Sequence, residues 1–596
     1  MTRATGKAKK MRDDLDRPVA CDITTLYGSD AIGRMLRHLD VPFVALNPGS
    51  SFRGLHDSLV NDLGNRDPQM LLCLHEEHAV AIAHGWAKVT GSPLAVVLHA
   101  NVGLMHAAMA LYNAWCDRVP MLVYGATGPV DADKRRPWID WLHTSRDQGA
   151  IVRPYVKWDD QPASLAASLA SMQRAATITK TAPKAPTYVC FDVSVQEQKI
   201  DDMPPLPDAA KHPVPQFPEV SEAEATRILA MLREADQPVF LMGRVSRDRA
   251  DWDRRVALAE AFGARVVTDI KTAASFPTKH PLHAGAPSYF LCPEASKVMA
   301  EADLLVFFDW VDPAGTMKQA GVEPAASKVV NVTLEPLLQN GWSLDHQAQP
   351  QSDFSLLADP DSLISALCEV AGIARQGKAS LPTLAAAFDT SEHTGPITID
   401  ALADHLDARL VGHEVTLMRL TLSWNGDKCD FRGPLDYLGY DGGAGIGSGP
   451  GMAVGSALAL RGAGRLPVAV LGDGDFLMGA TAIWTAVHHS IPMLIVVANN
   501  RSYFNDEVHQ ERVARMRGRP IENKHVGQAI TGPDIDIAAM ARAQGATAFG
   551  PVDGHAALDD ALSQALDRVA AGDTVVVDVR IAQGYSAAMT EGMTQE

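Results

Sequence analysis

Residues 468–500 read VAVLGDGDFLMGATAIWTAVHHSIPMLIVVANN, and no other stretch of the chain restricts the fold as much. Residues 468–471 and 494–498 are unbroken apolar runs closed by Gly, Asp and Asn, and runs that short predict buried strands. Residues 480–489 between them carry a helical pattern. Two fully apolar strands joined by one helix belong in a parallel sheet covered on both faces. Their carboxyl ends, Gly472-Asp473-Gly474 and Asn499-Asn500, are then expected side by side at one sheet edge, where such folds bind ligands. Asp473 and Asn500 are 500 − 473 = 27 positions apart, yet this topology lets them converge on one point. Gly472 and Gly474 allow the backbone to approach a phosphate, and the helix N-terminus beyond them favours negative charge. A carboxylate, an amide oxygen and phosphate oxygens are hard donors that suit Mg²⁺.

The same alternation runs through the rest of the chain. Phe43–Leu46 and Ala95–Leu98 read as strands around a helix at 77–89. Residues 239–242, 266–268 and 304–308 read as strands among helices at 221–234 and 251–262. A chain of 596 residues is too long for one core. Two stretches divide it, the proline-rich residues 203–218 (MPPLPDAAKHPVPQFP) and the polar residues 372–396. The expected architecture is therefore α/β, with three doubly wound parallel-sheet domains at 21–200, 219–371 and 397–596 behind a flexible tail at 1–20.

Charge excludes several partners. Lys and Arg number 53 against 71 Asp and Glu, a balance of −18, which argues against nucleic acid or an anionic membrane. The basic residues 1–12 read as a solvated tail and lack the apolar centre of a signal peptide. No run of 18 apolar residues is present, so no membrane span is expected. The seven cysteines are scattered without a CxxC pair, which suits buried thiols in a cytoplasmic protein.

A second chemical motif lies in the first third. Residues 71–87 read LLCLHEEHAVAIAHGWA, an apolar strand, acids and a helix. Asn47-Pro48-Gly49-Ser50 follows another apolar run, and residues 97–113 read VLHANVGLMHAAMALYN. With the GDG and NN turns, these stretches resemble the thiamine diphosphate (ThDP)-dependent family that includes benzoylformate decarboxylase, pyruvate decarboxylase and acetohydroxyacid synthase. The resemblance covers nearly the whole chain in the order pyrimidine-binding, middle and diphosphate-binding domain. In the first third it is nearest to benzoylformate decarboxylase.

The resemblance implies ThDP and Mg²⁺ as cofactors, with Asp473, Asn500 and the backbone carbonyl of Ser502 as metal ligands. Gly472, Gly474, Asp475, Ser448 and Met452 map to the cofactor's surroundings. The catalytic glutamate, which hydrogen-bonds N1′ of the aminopyrimidine, maps onto Glu76; such a group works with a raised pKa at a buried strand end. Glu77 reads as a helix N-terminal acid with a dipole role. An active-site serine and histidine map onto Ser50 and His99.

Four departures stand out. Asp475 follows GDG where relatives carry a small residue, so its carboxylate is expected to turn from the phosphates. Ser448 stands where relatives place an apolar wedge under the cofactor, a role that falls to Ile446 or Met452 instead. Asp506 and Glu507 follow the metal loop; an active-site glutamate of pyruvate decarboxylase aligns with Asp506. A second histidine has no match in the middle domain, where residues 307–312 read FFDWVD. Arg244 and Arg247, after a middle-domain strand, could hold the phosphate of a nucleotide such as ADP, CoA or FAD, but are expected on a solvated face.

The implied activity is cleavage of a C–C bond beside a carbonyl in a small-molecule substrate. Glu76 acts on the cofactor, His99 with Asp506 or Glu507 relays protons, and Ser50 orients the substrate. A 2-oxo acid decarboxylase with carboligase capacity is the first reading. The alternatives are a 2-hydroxyacyl-CoA lyase, an acetohydroxyacid synthase-like ligase and a ThDP-binding protein without turnover. The family's cofactor bridges two subunits, which implies a homodimer or homotetramer.

Overall fold

The computed structural model describes residues 16–323, 326–335, 350–373, 393–585 and 589. The basic residues 1–12 and most of the stretch 372–396 lie outside the described residues. Three parallel sheets carry the chain. The first contains β1 (Phe43–Leu46), β2 (Gln69–Leu72), β3 (Ala95–Leu98), β4 (Met121–Thr127), β5 (Trp158–Asp160) and β6 (Pro186–Asp192), in spatial order β2-β1-β3-β4-β6-β5. The middle sheet contains β7 (Pro238–Met242), β8 (Arg265–Val267), β9 (Leu304–Phe308), β10 (Lys328–Thr333) and β11 (Phe354–Leu357), ordered β8-β7-β9-β10-β11. The last contains β12 (Val415–Arg419), β13 (Leu466–Gly472), β14 (Met493–Asn499), β15 (Thr547–Val552) and β16 (Thr574–Arg580), ordered β12-β13-β14-β16-β15. The strands read from apolar runs are present, with the run at 266–268 ending one residue earlier. The helical run at 480–489 is shorter than expected: a helix from Asp473–Gly479 precedes it, and Ala482–His488 follows after a break.

The last sheet is buried on both faces by different neighbours, and its period of two shows this directly. Val468, Val470, Leu494 and Val496 join a core shared with the middle unit. Their alternates Ala469, Leu471, Ile495 and Val497 join a core shared with the first unit. Continuous apolar strands are what such a doubly covered sheet requires.

Two helices form the seam between the first and last units. Helix α1 (Glu76–Thr90) starts at His75, whose Nδ1 accepts from the Glu77 N–H at 3.1 Å, and ends at Gly91 in the left-handed region. Helix α2 (Gly449–Ala459) starts with Pro450 in its first turn. The helices touch through small residues: a Cβ on Gly85 would stand 2.1 Å from the Met452 carbonyl oxygen, and one on Gly455 would stand 1.9 Å from the Ile82 oxygen. Ser456 Oγ donates to the Gly85 carbonyl across the contact at 3.1 Å.

Of the seven cysteines, none is disulfide-bonded; Cys21 is exposed and Cys116 half-buried, so only the other five are buried thiols.

Candidate active site

The carboxyl edge of the last sheet opens into a cavity of about 470 Å³ lined by Asp473, Asn500 and Ser502. Asp473 Oδ1 accepts from the Gly474 N–H at 3.0 Å and Oδ2 from the Ser502 N–H at 3.2 Å. Asn500 Oδ1 accepts from the same Ser502 N–H at 2.9 Å, so side chains from two strand ends meet on one turn. Residues 525–530 brace this loop: Tyr503 N–H donates to the Gln528 carbonyl and Ile530 N–H to the Arg501 carbonyl. Burial raises the Asp473 pKa to about 6, and among the described residues no cation pairs with it. A buried carboxylate, an amide and a backbone carbonyl without a cation make a donor set that fits Mg²⁺. Gly472 leaves room beside them, since a Cβ there would meet only Thr421 Oγ1 at 3.6 Å, whereas one on Gly474 would stand 2.7 Å from the Tyr503 ring.

Asp475 is turned into the protein. Its Oδ1 accepts from the Gly447 and Gly449 N–H groups at 2.7 and 3.2 Å, and Oδ2 lies 3.3 Å from the buried guanidinium of Arg419. That guanidinium also pairs with Asp441 at 2.9 Å and sits over the Tyr440 ring. Ser448 is buried and hydrogen-bonded to Asp441. Of the two apolar alternatives, Ile446 lines the cavity, whereas Met452 lies one turn into α2 within the helix seam.

Glu76 is buried at the head of α1, and its Oε2 meets His106 Nδ1 at 3.1 Å. His75 stacks on His106 at 5.2 Å. The neighbour Glu77 does more than face a dipole. Its Oε1 would stand 3.5 Å from a Cβ on Gly447, and burial followed by the Asp475 charge raises its pKa. The head of α1 therefore abuts the loop carrying Gly447 and Ser448 through Glu77, while Glu76 itself faces Gly103 and His106.

His99 ends β3 and faces Ser51, not Ser50. Ser51 Oγ and the Ser51 N–H approach His99 Nδ1 at 2.9 and 3.3 Å. Because that N–H donates to Nδ1, the hydrogen-bond network assigns the ring proton to Nε2. Ser50 is exposed on the preceding turn. Burial, and then His143 at 4.8 Å between ring centroids, lower the His99 pKa. Ser51, His106 and His143 thus pack on the expected site residues Glu76 and His99, contacts that sequence reasoning missed; only the density of histidines at 75, 99, 106 and 143 could have signalled them.

Asp506 and Glu507 separate. Asp506 lines the cavity, whereas Glu507 is buried, accepting from Ser502 Oγ and from Gln583 Nε2 at 3.2 Å. Consecutive helical positions point about 100° apart, so one acid faces substrate space and the other braces the metal loop. Arg244 and Arg247 are not on a solvated face: both are half-buried, and the Arg244 guanidinium reaches the Cys116 carbonyl at 2.8 Å. Among the described residues no helix is long and apolar enough to cross a membrane.

Family models described as the thiamine pyrophosphate enzyme N-terminal TPP binding domain, central domain and C-terminal TPP binding domain match residues 26–151, 225–367 and 422–579. A benzoylformate decarboxylase from Pseudomonas aeruginosa is 25% identical over 557 residues, 91% of this chain and 96% of that protein. A probable 2-ketoarginine decarboxylase from the same organism is 26% identical over 545 residues, 89% of this chain and 90% of its own. The solved structure of a thiamine diphosphate-dependent 4-hydroxybenzoylformate decarboxylase from Rhodococcus jostii RHA1 shares the fold, with TM-score 0.74 and 21% identity over 94% of this chain and 100% of that one. With all three models matched in chain order, the chain belongs to the thiamine pyrophosphate enzyme family.

Proposed function

We propose that the protein is a ThDP- and Mg²⁺-dependent 2-oxo acid decarboxylase with carboligase capacity. The observation that carries the reading is the cavity with the Asp473, Asn500 and Ser502 donors, beside a loop on which the head of α1 rests through Glu77, the neighbour of Glu76. The decarboxylases that align over at least 90% of their own length support the reaction type. When bound, ThDP supplies a carbon nucleophile and an electron sink for C–C cleavage.

The chain's own groups do the rest. Asp473, Asn500 and the Ser502 carbonyl would hold the metal, and Gly472 leaves the backbone open to the diphosphate. Glu76 holds a proton toward N1′ of the pyrimidine. His99, kept neutral by burial and oriented by Ser51, presents its Nε2–H as a donor. Asp506 is the proton carrier on the cavity wall, since Glu507 is committed to Ser502. Leu422, Ile446 and Phe504 make part of the wall apolar, and loss of a charged carboxylate as CO₂ is favoured where water is scarce.

We read the protein as a homodimer or homotetramer. Trp138 and Trp141 of the first unit are 71% and 78% exposed, large apolar side chains suited to self-association. The test is the enzyme loaded with ThDP and Mg²⁺ against a panel of 2-oxo acids, read as CO₂ and aldehyde release. No CO₂ from any 2-oxo acid, with aldehyde formed from a 2-hydroxyacyl-CoA, refutes the decarboxylase reading.

A further inference from the structure

The cavity that holds Asp473 and Asn500 is also lined by the middle unit, and that wall carries cations. Arg244 follows β7 and Lys271 follows β8, and both line it. Arg244 donates one hydrogen bond, to the Cys116 carbonyl, while its Nε is buried without a partner. Among the described residues no carboxylate pairs with it. The two acids whose charges reach it are already engaged elsewhere. Asp309 takes Arg118 at 2.9 and 2.7 Å and Thr333 at 2.7 Å. Asp117 takes Lys88 and, at 2.7 Å, His84.

Asp117 and Asp309 therefore already serve Lys88, His84 and Arg118, and neither is left to pair with Arg244. Burial and Arg118 lower the Arg244 pKa and outweigh the opposing pull of Asp309 and Asp117, neither of which pairs with it directly. Lys271, 3.2 Å from Asp269, adds a second cation, and Tyr289 on the same wall has a buried hydroxyl without a partner. A guanidinium so placed lacks an anion.

We propose that Arg244, backed by Lys271, is a subsite for a distal carboxylate, and that the substrates are 2-oxo acids carrying a second carboxylate. The inference rests on the decarboxylase reading. The carboxylate next to the keto group leaves as CO₂, and a fixed cation paired with it would stabilise the ground state and slow its loss. A carboxylate at the far end persists through the reaction, so pairing with Arg244 anchors the substrate without opposing the chemistry.

The experiment is calorimetry of the holoenzyme with unreactive acids, glutarate and adipate against butyrate and pentanoate, with inorganic phosphate as a further arm. The expected result is binding of the dicarboxylates about tenfold or more tighter than the monocarboxylates, with the preference lost in Arg244→Gln. Equal binding of mono- and dicarboxylates by the parent enzyme overturns the proposal whatever the variant does. So does a variant that keeps the preference but binds phosphate or ThDP more weakly, because the anion would then be the cofactor's. Binding is read without turnover, so a dicarboxylate preference in a protein that decarboxylates nothing sinks the decarboxylase reading and leaves the subsite standing. With turnover, Arg244→Gln raises KM for a dicarboxylic 2-oxo acid more than it lowers kcat.

Discussion

Replacing Gly85 by alanine tests the seam on which the site is built. The added methyl would stand 2.1 Å from the Met452 carbonyl oxygen and 2.9 Å from the Ser456 nitrogen. Both are backbone atoms of α2 and cannot rotate away, so the helices must part by roughly 1 Å to restore ordinary contact. Overpacking of this kind costs about 1–3 kcal/mol, and contact with backbone puts Gly85 toward the upper end. Alanine returns about 1 kcal/mol of helix propensity. The net is destabilisation by about 2 kcal/mol, or a fall in Tm of about 4–8 °C for a unit of this size. The control is the same substitution at Gly33, inside the helix Gly28–His38, where the methyl would meet side chains at 3.5–3.9 Å. There the propensity gain stands alone, and Gly33→Ala is expected to stabilise by up to about 1 kcal/mol. Differential scanning calorimetry, with and without ThDP and Mg²⁺, reads both variants. Parting the seam also moves the head of α1 from the Gly447 loop, so Gly85→Ala weakens ThDP binding and Gly33→Ala does not. A Gly85→Ala protein as stable as its parent, with unchanged ThDP affinity, refutes the reasoning.

Glu76→Gln is expected to bind ThDP but to lose proton exchange at C2 of the thiazolium, followed by NMR after acid quench, because an amide cannot carry the N1′ proton. Glu507→Gln should lower Mg²⁺ affinity more than kcat, since its carboxylate braces Ser502, while Asp506→Asn should lower kcat with metal affinity unchanged; titration of the thermal response with Mg²⁺ separates them. Ser51→Ala should cut kcat by loosening His99, with a Ser50→Ala control near parental activity. His78 is held near pKa 4 by burial, so the unfolded chain binds the extra proton between pH 4 and 6.5 and stability falls as pH falls through that window. The group accounts for up to about 3 kcal/mol of that loss, and His78→Gln should flatten denaturant-measured stability over the same range.

Sequence alone determined the three sheets and the turn where Asp473 meets Asn500. Apolar runs such as 468–471 and 494–498 have no polar face to offer water, so each had to become a strand covered on both sides. Strand ends joined by one helix in a parallel sheet are adjacent by topology, and Asp473 meets Asn500 for that reason. Neither conclusion needs a partner distant in the chain. What the sequence could not decide is where adjacent side chains point. Ser50 and Ser51 are equivalent on paper, but the turn before the Ser51–Phe52 core contact exposes the first and delivers the second to His99. Asp506 and Glu507 differ by one step of a helix whose rotation is set by Ser502 and Gln583, so only packing assigns one to the cavity. Arg244 looked solvated because its burial comes from the first unit, whose Cys116 is 128 positions away. Local pattern fixes periodicity and strand ends; side-chain direction and charge balance depend on contacts made across the whole chain, and those exist only once the units have packed.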